Sequence, residues 1–320
     1  MVFGLFLCHE ICHNDSIRIS ISKEEPMATY EYELKNDYVV AGFVSHGGEM
    51  KSLRSRKTGK EYLWCGDPAY WGRSAPVLFP FVGGVYGKEY RTKGQTYPMG
   101  QHGFARDMDF TLLSREADSI WFELVSNEDT RNRFPYDFVL KLGYELLDDG
   151  IRVCWQVENP GKEVLPFSIG GHPAFYCPID EGTHQTDYKL WFDTKETIVS
   201  TRLSSNGLAT DARDEYLLQN GYLQVTEDLF DRDALVIEGD QAHQVALCRA
   251  DGKPYLTVTM GAPLFGVWSP PKKQAPFICI EPWYGRCDAQ GFTGDLTERT
   301  WGNKLDPGEI WTEEYTIRIS

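Results

Sequence analysis

Alternation of apolar and polar positions dominates this chain. In FVLKLGYEL, residues Phe138, Leu140, Leu142, Tyr144 and Leu146 fall on one side of an extended segment. After DDG, the run IRVCWQVEN resumes the pattern with Ile151, Val153, Trp155 and Val157. Successive side chains of a strand point to opposite faces, so the two runs predict a hairpin with one apolar face. Gly150 is expected to occupy a left-handed turn position there. VALCRADGKPYLTVTM predicts a second strand–turn–strand unit. In IWTEEYTIRIS, Trp311, Tyr315, Ile317 and Ile319 share a face, leaving Thr312, Glu314, Thr316 and Arg318 for water. A helical period is scarce. DARDEYLLQNG predicts one short helix ending near Gly221, and little else sustains a 3.6-residue repeat.

Recurrent strands separated by Gly, Pro, Asn and Asp favour an all-β sandwich over alternating βαβ units. There is no low-complexity tract, linker or internal repeat. One continuous domain spanning residues 27–320 is the simplest organisation, with residues 1–26 an N-terminal extension ahead of Met27. The opening MVFGLFLCHEICHNDS lacks a basic leader and a small-residue cleavage pattern, which argues against a secretory signal. No apolar run approaches the ~20 residues needed to span a bilayer.

Charge narrows the partners. The formal net charge of −15, with no offsetting basic cluster, disfavours nucleic acid and anionic membrane surfaces. Eight cysteines without a C-x-x-C pair do not form a disulfide scaffold, so a reducing cytoplasm is expected. Oligomeric state is not legible.

Three segments carry candidate chemistry. In SIGGHPAFY, His172 sits between glycines that let the backbone turn and a proline that biases it away from helix. In MGQHGFARD, His102 is held at a turn that Phe104 would anchor, while the adjacent Arg106 and Asp107 suggest a local ion pair. In FICIEPWYG, Glu281 lies at a predicted strand end. Arg73, in YWGRSAPVLFPFVGG, offers several donors to hydroxyl oxygens. Asp233, in LFDRDALVIEG, offers acceptors, with Asp231 as its local competitor. Each of these residues also has a plain structural explanation as a hydrogen-bonded loop residue, turn cap or surface charge. Trp64, Trp71, Trp268, Trp283 and Tyr284 lie near turns and polar groups, and together fit a saccharide cleft. No G-x-G-x-x-G or G-x-x-x-x-G-K-[ST] loop supports nucleotide binding, and no H-E-x-x-H motif supports a metal centre. Cys177 lies near His172 in sequence, which alone makes no nucleophilic dyad.

The ordered set EYLWCGDPAYWGRSAPVLFPFVGG, YPMGQHGFARDMDF, LPFSIGGHPAFYCP, LFDRDALVIEG and FICIEPWYG resembles the aldose 1-epimerase, or galactose mutarotase-like, family, and more narrowly its LacX-like branch. The resemblance covers nearly all of residues 27–320. It implies the family's large β-sandwich, or supersandwich, and interconversion of the α and β anomers of a free aldose. It matches Glu281 to the general base at the anomeric O1 and His172 to the general acid at ring O5. His102, Arg73 and Asp233 match substrate-binding positions. Neither a cofactor nor a metal is implied, because ring opening of a hemiacetal needs only proton transfers. The starting state expected is an ionised Glu281 beside a histidine able to protonate near neutrality. The proline-rich arginine segment and EPWYG depart from better-known galactose mutarotases, which weakens any transfer of galactose specificity. The competing readings are a hexose-6-phosphate 1-epimerase, which needs an added cationic subsite, and a noncatalytic carbohydrate-binding protein. A glycosidase fits less well, since such enzymes commonly work with two carboxylates.

Overall fold

The computed structural model describes residues 29–320. The N-terminal extension of residues 1–26, with Cys8 and Cys12, lies outside the described residues, as does Met27 at the expected domain start. Two large antiparallel sheets face each other. The nine-stranded sheet runs, in spatial order, through Tyr222–Gln224, Lys189–Phe192, Gln244–Cys248, Pro254–Met260, Ile310–Ile319, Gly150–Glu158, Val139–Leu147, Ser119–Val125 and Thr111–Arg115. The eight-stranded sheet runs through Ala209–Leu217, Thr197–Leu203, Leu235–Glu238, Leu264–Trp268, Phe277–Tyr284, Ile169–Gly171 and Val77–Leu78, with Ala174–Tyr176 also paired to Phe277–Tyr284. The all-β sandwich expected from the alternation is the observed architecture.

The main core fills the space between these sheets. Trp155, Ile317 and Tyr315 enter it from one side, and Ile237, Val267, Ile278 and Ile280 from the other. Tyr284 joins the layers: its ring lies 6.2 Å from Trp155 and 5.0 Å from Trp311, and its hydroxyl donates to Glu313 Oε2 at 2.7 Å. Each well-placed aromatic pair contributes ~0.5–1.5 kcal/mol beyond its buried area.

Period two then divides the Phe277–Tyr284 strand. Ile278, Ile280 and Tyr284 point into the main core, whereas Phe277 and Cys279 join a small cluster with Trp64 and Ala174 on the other side. Trp283 packs there as well, with Leu264, Val236 and Val82. Every residue of the strand is buried, because loops cover the outer face. Glu281 shares the face of Cys279 and Trp283, so the sandwich core lies behind it.

Two local expectations change. Gly150 has no left-handed φ; it opens the Gly150–Glu158 strand, where a Cβ would overlap the carbonyl oxygen of Ile317 on the neighbouring strand. Close backbone approach explains this glycine, while Asp148 and Asp149 make the turn. The expected helix within DARDEYLLQNG is instead strand Ala209–Leu217, with side chains alternately half-buried and exposed beyond Ala209. It pairs with Thr197–Leu203, and Arg202 Nε binds Asp214 Oδ2 across the pair at 2.9 Å. Helix-forming residue types are overruled by the ladder and the period-two pattern. An unanticipated short helix, Glu128–Arg133, is closed by a reciprocal cap: Asn127 Oδ1 accepts the Thr130 N–H and Thr130 Oγ1 accepts the Asn127 N–H.

Candidate active site

The outer face of the eight-stranded sheet opens into a cavity of about 380 Å³. Glu281 and His172 form its reactive wall, joined by His102, Arg73, Arg106 and Asp233. All five residues singled out from the sequence are therefore brought to one cavity. Asp231 lines a separate cavity with His184 and Glu227, so the two aspartates separate by geometry.

Glu281 is 1% exposed and His172 6%. His172 Nε2 lies 3.2 Å from Glu281 Oε2. The contact lacks hydrogen-bond alignment, and Glu281 Oε2 and His172 Nδ1 are both buried without a hydrogen-bond partner. Such groups are costly unless a ligand completes them. Burial pushes the Glu281 carboxyl well above its usual range, with the nearby Asp233 charge adding to the effect. Burial also drives the His172 imidazole down to about 3, helped by the Arg106 charge. Burial thus disfavours charge on both partners, against the ionised carboxylate and readily protonated imidazole expected from solution values.

Local sequence accounts for each placement. His172 follows the Ile169–Gly171 strand, and its backbone N–H donates to Pro76 O at 3.0 Å. The Trp71 ring stacks on its imidazole, with centroids 4.7 Å apart and planes at 29°, while Trp268 meets it edge-on at 5.5 Å. His102 adopts a left-handed φ of 68°, and Gly103 follows at 70°. A Cβ on Gly103 would overlap the carbonyl of Phe79, which explains the glycine. His102 Nδ1 accepts the Gly83 N–H at 3.1 Å, so the proton of the neutral ring resides on Nε2. Burial and the neighbouring His172, Arg106 and Arg73 hold His102 well below its usual value. Asp233 is also left-handed, at 77°, and its Oδ1 accepts the Ala234 N–H at 2.9 Å.

The Arg106–Asp107 ion pair expected from adjacency is present but long, and Arg73 makes the closer contact. Arg73 Nη2 binds Asp107 Oδ1 at 2.6 Å, whereas Arg106 Nε is 4.0 Å from Asp107 Oδ2. Arg106 Nη2 donates to Gln101 O at 2.9 Å, and its Nε is buried without a hydrogen-bond partner. Burial and the like charge of Arg73 lower the Arg106 guanidinium to about 10. One carboxylate, Asp107, thus lies beside two adjacent cations, with Asp233 lining the same cavity.

Sequence reasoning missed several contributors. Glu49 is buried behind the Arg73 loop: its Oε1 accepts the N–H groups of Ser74 at 2.7 Å and Ala75 at 2.8 Å, while Lys51 Nζ lies 3.5 Å from Oε2. An acid directly before the Met50–Ser55 strand was its only signal. Leu203 and Gly207, from the hairpin mistaken in part for a helix, also reach the cavity. Of the five aromatics proposed for a cleft, Trp71, Trp268 and Trp283 line it. Trp64 lies behind, donating its indole N–H to Trp71 O at 2.9 Å, and Tyr284 faces the main core. Cys279 completes a buried trio with His172 and Glu281, their ligand atoms all within 4.8 Å of one another.

A large antiparallel β-sandwich with such a cavity on one sheet has the architecture of the galactose mutarotase superfamily. The chain belongs to the aldose 1-epimerase family, whose model matches residues 30–318. Among its relatives is the chromosomal protein LacX of Lactococcus lactis subsp. lactis, 32% identical over 296 residues, covering 90% of this chain and 98% of that protein. A galactose mutarotase related enzyme from Lactobacillus acidophilus superimposes with a TM-score of 0.84 at 33% identity, over 90% of this chain and 97% of that one. A galactose mutarotase-like protein from Lactobacillus casei gives 0.82 at 28% identity, over 90% and 99%.

Proposed function

We propose that this protein is a LacX-like aldose 1-epimerase that interconverts the α and β anomers of a free aldose. The observation that carries the reading is the buried His172–Glu281 pair, 3.2 Å apart at the wall of an aromatic-lined cavity. Groups this close can address the two oxygens carried by one anomeric carbon. Glu281 removes the O1 proton, His172 delivers one to O5, and the C1–O5 bond breaks. Rotation about C1–C2 turns the aldehyde over, and closure reverses both transfers.

Burial opposes charge on either group, whereas the forward step begins from carboxylate and imidazolium. Sugar hydroxyls entering the cavity supply the hydrogen bonds that solvent cannot, which favours that ion pair. His102 Nε2–H donates to a hydroxyl, Asp233 accepts from one, and Arg73 donates along the rim. Trp71 limits rotation of the His172 ring. The substrate is a small sugar, and the six free thiols among the described residues support a reducing, cytoplasmic setting.

The adjacent Arg73 and Arg106 favour a second reading, an anionic aldose such as a hexose 6-phosphate. Polarimetry of freshly dissolved glucose, galactose and their 6-phosphates tests both. Acceleration confined to phosphates selects the second reading, and acceleration of none, with saturable sugar binding, leaves a noncatalytic binding protein.

A further inference from the structure

Cys279 takes no part in the proposed reaction, yet it is fully buried beside both groups that do. It lies two residues before Glu281 on the same strand, so both side chains leave the same face of the sheet. His172 approaches from the neighbouring segment. The three supply one nitrogen, one sulfur and one oxygen within 4.8 Å. Among the described residues no other trio of His, Cys, Asp or Glu meets that geometry. An independent observation points to a ligand: His172 Nδ1 and Glu281 Oε2 are buried polar atoms without hydrogen-bond partners.

We infer that His172, Cys279 and Glu281 form a binding site for one Zn²⁺ ion whose occupancy blocks the cavity. Zinc bound at ~2.0–2.1 Å to nitrogen or oxygen and ~2.3 Å to sulfur sets its ligands roughly 3.3–3.6 Å apart around a tetrahedron. With all three ligand atoms within 4.8 Å of one another, each pair has to close by at most ~1.2–1.5 Å to reach that spacing. Three protein ligands leave the fourth position for water. Binding takes Cys279 as thiolate, Glu281 as carboxylate and His172 as imidazole, so the site is formed with release of protons.

The binding site stands on geometry alone. Its inhibitory consequence rests on the proposed acid–base reading, because zinc occupies the carboxylate and imidazole that reading requires. Inhibition is then reversible by chelation and competitive with sugar.

The test uses Co²⁺ as a spectroscopic probe in the full chain, with Cys8 and Cys12 replaced by serine to remove thiols near the N terminus. One Co²⁺ per chain with a thiolate-to-cobalt charge-transfer band, displaced by Zn²⁺ and weakened at least tenfold in Cys279→Ala, is the expected result. Glu281→Gln, which keeps the thiol, retains the band with at least tenfold weaker affinity. If Cys279→Ala melts before titration, Cys279→Ser and Glu281→Gln carry the comparison. Absence of the band, or affinity unaltered by these substitutions, overturns the site. Zinc binding in a protein without anomer interconversion leaves the site standing and removes the epimerase reading; interconversion without cobalt binding does the reverse.

Discussion

Glu281→Gln exchanges a carboxyl oxygen for an amide nitrogen at nearly constant volume, where the side chain is 1% exposed. The fold is therefore retained and the proton-transfer group is lost. One positioned acid or base contributes ~10²–10⁴-fold to rate. That corresponds to about 2.7–5.4 kcal/mol on the barrier, at ~1.36 kcal/mol per tenfold. The same change has a stability consequence of opposite sign. Burial raises the folded-state Glu281 pKa above its ordinary 4.5. Its favourable contribution is thus complete below pH ~4.5 and is lost as pH rises toward the folded value. Glutamine carries no such penalty, so the variant gains melting temperature over wild type at pH 8 more than at pH 5. Each kcal/mol relieved raises the melting temperature by ~2–4 °C in a domain of roughly this size. Polarimetric progress curves and thermal melts at both pH values measure the two effects. A variant within threefold of the wild-type rate, or a melting difference that narrows toward pH 8, refutes the reasoning.

The depressed His172 has the other sign: stability is present above pH ~6.5 and declines as pH falls toward about 3, at up to ~1.4 kcal/mol per pH unit. Denaturant titrations from pH 7 to 4 should show a shallower decline in His172→Asn. Trp71→Leu removes the ring stacked on His172, worth ~0.5–1.5 kcal/mol, and steady-state kinetics should record a several-fold loss of kcat/KM. Glu49→Ala strands two buried N–H groups at ~1–3 kcal/mol each; calorimetry should show a lower melting temperature, and kinetics a raised KM through the Arg73 loop, with Glu49→Gln milder. Ile280→Ala opens a cavity in the main core and should cost ~2–5 kcal/mol in urea unfolding, with a far smaller effect on the rate per folded molecule than Glu281→Gln.

Strand alternation was legible in the sequence because the Val139–Leu147 and Gly150–Glu158 pair repeats it over nine residues each, and the Ile310–Ile319 strand continues it. The Ala209–Leu217 strand was not, since an edge strand carrying Ala212, Arg213, Glu215 and Leu217 suits helical propensity as well. Gly150 was assigned the wrong physical reason because its constraint comes from Ile317, more than a hundred and fifty residues away. The five site residues were legible from ordered local motifs, although no motif encodes that they meet. Glu49 and Arg106 were hidden or undervalued because their importance lies in what they support and face. The upward shift of Glu281 and the downward shift of His172 were beyond sequence reach: they arise from burial, which only the assembled loops create.

The parity of the Phe277–Tyr284 strand has an evolutionary consequence. Even-numbered positions Ile278, Ile280 and Tyr284 answer to folding, while odd-numbered Glu281 and Trp283 line the cavity and answer to whatever enters it. Mutational tolerance along these eight residues should oscillate with a two-residue beat, abundance screens registering one set and turnover screens the other. Selection can then reshape ligand preference through alternate codons without renegotiating the interior.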